Sequence, residues 1–385
     1  MDGRPAKFSI DIKMTMQDPN SYKLLTPGPL TTSLSVRSEM LNDRCTWDKD
    51  YKDMTQEVRA SLLELAHADP TEYTTVLMQG SGTFGVESVL SSIPGANDCV
   101  LVLVNGAYTE RMCQILTYQH ISFKRLDFAW DSIPDAKKVE QFLAANPDVT
   151  IVAMVHSETT TGILNDIAAV GSVVKAAGKT FIVDAMSSFG GVDINVPEIG
   201  IDFLVSSANK CIQGVPGFSF IIARTEKLRA SQGNARSLSL DLYDQWRVME
   251  KDGGKWRFTS PTHVVAAFHR AISELRQEGG IAARNTRYAK CNQMLRDGMK
   301  ALGFEAYITP AHQGPIITTF FYPENANFTF AGMYDYLKSH GYVIYPGKLT
   351  ERDTFRLGNI GEIYENDVKR VLQLFQDYLN EVNHA

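Results

Sequence analysis

Short runs of β-branched and aliphatic residues recur along much of the chain, and most are followed by stretches whose apolar positions return every three or four residues. The runs occupy positions 74–78, 99–104, 121–126, 150–155, 179–183, 203–205 and 218–222. Helical periodicity marks 51–66, 84–90, 137–144 and 167–176. Continuous apolar runs separated by helices are what a mainly parallel sheet requires when both its faces are covered. The run at 218–222 follows 203–205 with no helix between them, so one antiparallel pair is expected. After position 223 the texture changes. Two long helices are predicted at 262–276 and 281–301 around Gly279-Gly280, then a strand at 316–321, a helix at 330–339, a strand at 354–357 and a helix at 362–379. The pattern predicts an α/β protein, with a large domain over 26–278 and a smaller α+β domain over 279–385 completed by part of 1–25.

Composition narrows the partners. The 385 residues include 38 Lys+Arg and 44 Asp+Glu, a net charge of −6, without a basic run. Such a chain lacks the electrostatic footprint expected for nucleic acid or an anionic membrane, so small molecules are the expected partners. No apolar run approaches the length of a membrane span, and the first ten residues carry charges where a signal peptide has its apolar core. Five scattered cysteines with no CxxC spacing read as reduced thiols in a cytoplasmic protein, with no metal site.

Three stretches carry candidate chemistry. Gly80-Ser-Gly-Thr-Phe-Gly85 follows the first strand of the alternation and opens a helix, where free N–H groups attract a phosphate. It matches the dinucleotide fingerprint, but the next strand ends in Asn105-Gly106 instead of the acid that would hold a ribose. A glycine-rich turn without a ligand is the plainer alternative. Asp184 closes an apolar strand, where it is either a crevice carboxylate or a helix cap. Lys210 lies in a loop between two apolar strands, flanked by small residues, Cys211 and Ile212. It is either a surface charge or a desolvated amine able to react with a carbonyl. A phosphate cradle, a carboxylate and a lysine in that order are the three things pyridoxal 5′-phosphate needs.

With these residues the chain resembles the class V aminotransferases of the fold type I pyridoxal-phosphate enzymes, from Thr26-Pro-Gly-Pro29 to Arg356-Leu-Gly-Asn-Ile-Gly361. By that resemblance Lys210 would bond the cofactor's aldehyde and Asp184 would pair with its ring nitrogen. Ser81, Gly82 and Thr83 would hold the phosphate, with Asn209 beside the lysine, and Tyr108 would stack on the ring. Thr159, in His156-Ser-Glu-Thr-Thr-Thr-Gly162, would contact the ring edge. Thr259, in Trp256-Arg-Phe-Thr259, would reach the phosphate of a second subunit, which implies a homodimer with shared sites. Arg356 would take the substrate's anionic end. Read alone, Tyr108 is a core aromatic, Thr159 part of a capping loop and Arg356 a strand arginine. The resemblance implies amino transfer from a small amine to a 2-oxo acid. By the same resemblance, carried by segments such as Cys45-Thr-Trp-Asp48 and Ser206-Ser-Ala-Asn-Lys-Cys-Ile-Gln213, the implied donor is an aminophosphonate; an alanine or serine donor with glyoxylate is the alternative.

Overall fold

The computed structural model describes residues 22–324, 327–347, 349 and 352–384. The expectations for the first ten residues, and for positions 1–21 as part of the small domain, lie outside the described residues.

The seven apolar runs form one sheet. In chain order its strands are β1 (Tyr73–Gln79), β2 (Val100–Val104), β3 (Phe123–Asp127), β4 (Ile151–Val155), β5 (Thr180–Asp184), β6 (Phe203–Ser207) and β7 (Phe218–Arg224). Their spatial order is β1-β7-β6-β5-β4-β2-β3. Only β7 runs against its neighbours, and it does so on both sides, against β1 and β6. The antiparallel strand therefore sits between parallel ones, one position in from the edge.

The strand residues alternate between two cores. Leu101 and Leu103 of β2, Val152 and Met154 of β4, and Phe181 and Val183 of β5 enter one apolar cluster. Val100, Val102 and Val104, with Ile151, Ala153, Val155 and Ile182, enter another. Successive side chains point to opposite faces, so burial on both faces demands an unbroken apolar run. The edge strand β3 is half-exposed and reads Phe-Lys-Arg-Leu-Asp.

Helices cover both faces: α1 (Lys49–Leu65), α2 (Gly82–Ser92), α3 (Ala107–Tyr118), α4 (Ala136–Ala145), α5 (Ile167–Ala176), α6 (Leu242–Lys251) and α7 (Thr262–Glu278). The helix at 242–251 was not singled out by periodicity. Asp241 caps it by accepting a hydrogen bond from the Asp244 N–H.

The C-terminal layer contains α8 (Gly280–Ala301), β8 (Ile317–Phe321), α9 (Phe330–Ser339), β9 (Tyr345–Pro346), β10 (Thr354–Gly358) and α10 (Glu365–His384). Its sheet has the order β8-β10-β9, with Arg356 opposite both Thr319 and Tyr345. Leu25 joins the core of this layer, and Lys23–Leu24 pairs with Tyr342–Val343. The last helix starts at Glu365, three residues later than its periodicity suggested. The Tyr364 N–H donates to the Asp367 carboxylate there, and Gly361 at φ 84° turns the chain before it. Among the described residues, no helix is long and apolar enough to cross a membrane.

Candidate active site

Strands β1, β2, β4, β5 and β6 all end at the same edge of the sheet, because they run parallel. The segments that follow them gather there: Gly80–Thr83, Asn105–Tyr108, His156–Thr159, Asp184–Ser187 and Asn209-Lys210. Crevices outside the carboxyl ends of parallel strands are where α/β folds hold ligands. A cavity of about 570 Å³ opens at this edge. Its lining includes Ser81, Gly82, Thr83, Tyr108, Asp184, Asn209 and Lys210, so seven of the expected site residues share one space.

The Lys210 ammonium donates a 2.7 Å hydrogen bond to the Pro27 carbonyl. This draws the Thr26-Pro-Gly-Pro29 run over the site from 183 positions away. Gly28 makes that approach possible. A methyl group there would lie 2.6 Å from Lys210 Nζ, and its φ of 118° disfavours any side chain.

Asp184 is buried at the end of β5 and accepts a 2.8 Å bond from the Met186 N–H. Burial pushes its pKa up to about 6, and buried Glu158 adds to the rise. The Met186 N–H, Lys210 and Arg111 oppose it. A carboxylate in this position calls for a cationic partner. At the other end of the lining, helix α2 begins at Gly82 with no side chain capping its first N–H groups. Ser81 and Thr83 add hydroxyls, and Arg111 Nη1 donates to Thr83 Oγ1 at 3.1 Å.

Three expected residues lie outside the cavity lining. Thr159 is fully buried behind Tyr108 and donates to the Tyr108 hydroxyl at 3.2 Å. Burial raises the Tyr108 pKa, which keeps that hydroxyl neutral. Arg356 is also buried. Its Nε donates to the Pro346 carbonyl at 3.0 Å and its Nη1 to the Thr159 carbonyl at 3.1 Å. The guanidinium lies 4.9 Å from the Tyr345 ring centre, and buried Nη2 has no partner. Thr259 is exposed and distinct from this lining. Trp256 of the same segment packs edge-on against Phe218 in the core.

Two residues that sequence reasoning passed over belong to the same constellation. Arg111 lines the cavity and lies 5.1 Å from the Tyr108 ring, three positions along α3 from it. That i,i+3 spacing was the available signal. Glu158 is fully buried and accepts from the N–H groups of Tyr108 at 3.0 Å and Thr160 at 2.9 Å. Gly106 leaves room for it, since a Cβ there would sit 2.3 Å from Glu158 Cγ. Asn105, where a ribose-binding acid would stand, is instead buried against the Ser132 carbonyl and Asn165.

The donor set matches pyridoxal phosphate: hydroxyls, free N–H groups and an arginine for an anion, a buried carboxylate for a cationic ring nitrogen, and a lysine for an aldehyde. Nη2 of Arg356 is a buried donor left without a hydrogen-bond partner.

Comparison with known proteins gives a consistent picture. The family described as aminotransferase class-V matches residues 35–348. A protein of Lysinibacillus sphaericus named 2-aminoethylphosphonate–pyruvate transaminase is 54% identical over 94% of this chain and 98% of its own length. A Bacteroides fragilis protein of the same name is 53% identical over 92% of this chain and 98% of its own. A Clostridioides difficile protein, 51% identical over 96% of this chain, is named as a bifunctional phosphonoacetaldehyde hydrolase/aminoethylphosphonate transaminase; the match spans 58% of it. The fold matches ureidoglycine-glyoxylate aminotransferase from Bacillus subtilis, with a TM-score of 0.85 at 22% identity over 94% of each chain.

Proposed function

The chain belongs to the class-V aminotransferase family, and from that premise we propose that it moves the amino group of 2-aminoethylphosphonate to pyruvate, giving phosphonoacetaldehyde and L-alanine. The observation that carries the choice of substrate is the shared name of relatives 52–54% identical over nearly the whole chain. We further propose pyridoxal phosphate as the cofactor, which the family implies. When bound, it supplies an aldehyde that takes up the amine and a ring that draws electrons from the neighbouring carbon.

The chain's own residues would divide the remaining work. Ser81, Gly82, Thr83 and Asn209 hold the phosphate, and Arg111 orients the Thr83 hydroxyl while adding positive charge. Asp184, ionised above pH 6, keeps a proton on the ring nitrogen. Tyr108 covers the ring, and its hydroxyl is held by Thr159. Lys210 Nζ, beside the Pro27 carbonyl, would act as a neutral amine once the substrate amine has taken its place on the aldehyde. It would accept the proton from the amine-bearing carbon and deliver it to the former aldehyde carbon, ending neutral again. Arg356, fixed through Nε and Nη1 by two carbonyls, would offer its unpartnered Nη2 to the anion: phosphonate in one half-reaction, carboxylate in the other.

We also propose a cytoplasmic homodimer in which Thr259 of one copy completes the phosphate site of the other. We also propose a domain division at 278/279, a reading supported by the separate seven-stranded and three-stranded sheets and the separate core beside the latter.

The test is a visible spectrum of the purified, cofactor-loaded protein. The band should fade with 2-aminoethylphosphonate alone and return with pyruvate, and Lys210→Ala should show neither change. A band that fades with alanine or serine but not with the aminophosphonate would favour the alanine/serine:glyoxylate alternative. A Lys210→Ala variant with full turnover would remove the central assignment.

A further inference from the structure

Three positions past Lys210, Gln213 is buried with a backbone φ of 68°. A residue with a side chain adopts this left-handed region only when its surroundings impose it. Its N–H donates to the Lys210 carbonyl at 2.7 Å, so the conformation of Gln213 closes the turn on which the lysine is carried.

The Gln213 side chain is gripped from three sides. Its Oε1 accepts from Tyr288 Oη at 2.7 Å and from Arg287 Nη2 at 2.9 Å, and its Nε2 donates to Glu362 Oε1 at 3.3 Å. Both arginines of this corner are anchored. Arg284 and Arg287 share the Glu278 carboxylate, and Arg284 Nη1 donates to the Cys211 carbonyl at 2.9 Å. The early turns of α8 therefore hold the lysine loop at Cys211 and Gln213. Arg287 Nη1 also donates to the carbonyls of Gly361 at 2.9 Å and Ile363 at 3.1 Å. That segment directly continues β10, the strand that bears Arg356.

We propose that Gln213 is a positioning residue: through Arg287, Tyr288 and Glu362 it sets the turn that aims Lys210, and it ties that aim to the segment continuing the Arg356 strand. The inference rests on the reading of Lys210 as the reactive lysine. An amide is the side chain suited to the task, because it must accept from two donors and donate to a carboxylate at once.

The test uses Gln213→Ala, the near-isosteric Gln213→Glu, and the reciprocal pair Gln213→Glu/Glu362→Gln. In the cofactor-free protein, amide hydrogen exchange of residues 211–214 should speed up at least tenfold in both single variants, while β2 keeps its protection. In the loaded protein, the single-turnover rate with 2-aminoethylphosphonate should fall at least tenfold, and the pH midpoint of the visible band should shift. The reciprocal pair restores an acceptor facing a donor, and should bring exchange and rate back to within threefold of the parent. Exchange and rate within twofold of the parent in the single variants would overturn the proposal. So would a reciprocal pair no better than Gln213→Glu alone. If the parent's band ignores the amine, the proposed function fails, while the cofactor-free exchange result still decides the role of Gln213. Should the alanine variant not fold, Gln213→Glu and its reciprocal partner decide it.

Discussion

Asp184→Asn should make the cofactor-free protein more stable at neutral pH and less able to keep its cofactor. Burial raises the Asp184 carboxyl from 3.8 to about 6. A carboxyl whose folded pKa lies above its unfolded value contributes most to stability when protonated, below pH 3.8. That contribution is lost as pH rises through the window from 3.8 to about 6. A rise of roughly two units at about 1.36 kcal/mol per unit makes the loss about 3 kcal/mol. Asparagine does not titrate, and its Oδ1 can still accept from the Met186 N–H. In a chain of this length about 3 kcal/mol corresponds to roughly 4 °C in melting temperature. The assay is thermal unfolding of cofactor-free parent and variant between pH 4 and 7.5. The difference between them should grow in favour of Asp184→Asn by about 4 °C across that range. Added pyridoxal phosphate should then raise the parent by more than the variant, because only the carboxylate pairs with a protonated ring nitrogen. A difference that stays flat with pH, or grows in favour of the parent, would refute the burial argument.

Three further outcomes follow from the geometry. Arg356→Lys loses the fork held by the Pro346 and Thr159 carbonyls, and charge-assisted bonds of this kind are worth roughly 1.5–3 kcal/mol. Steady-state kinetics should show KM rising at least tenfold for both 2-aminoethylphosphonate and pyruvate; an effect on one alone would deny a shared anion site. Gly28→Ala places a methyl group 2.6 Å from Lys210 Nζ at a φ of 118°, so it should cost about 1–3 kcal/mol and displace the lysine. Absorbance of the bound cofactor reports the displacement, and a normal spectrum would contradict it. Lys210→Ala mixed with Thr259→Ala under conditions that let subunits exchange should give more activity than the two parts summed. No gain in the mixture would mean that Thr259 does not act across subunits.

Much of this protein can be read along the chain. The strands are legible because a sheet covered on both faces admits only apolar residues, as the run Val100–Val104 shows. The ordered set of Ser81–Thr83, Asp184 and Lys210 is legible because each closes or follows a parallel strand, and parallel strands end on one edge. Tertiary structure decided the rest. Gly28 must be glycine because Lys210 passes over it, a reason that exists only once the N-terminal run crosses the sheet edge. Arg356 is aimed by carbonyls of residues 159 and 346, which nothing in the local pattern of β10 signals. Arg111 and Glu158 look like ordinary helix and loop charges until α3 docks and brings both beside Tyr108, Glu158 fully buried. Gln213 resembles any loop amide in sequence, and only the approach of α8 and of the segment after β10 gives it its three partners, at a residue whose backbone is already unusual. Periodicity and residue chemistry are properties of neighbours along the chain. The aim of a side chain depends on groups tens to hundreds of residues away, and the packing of the elements brings those groups together.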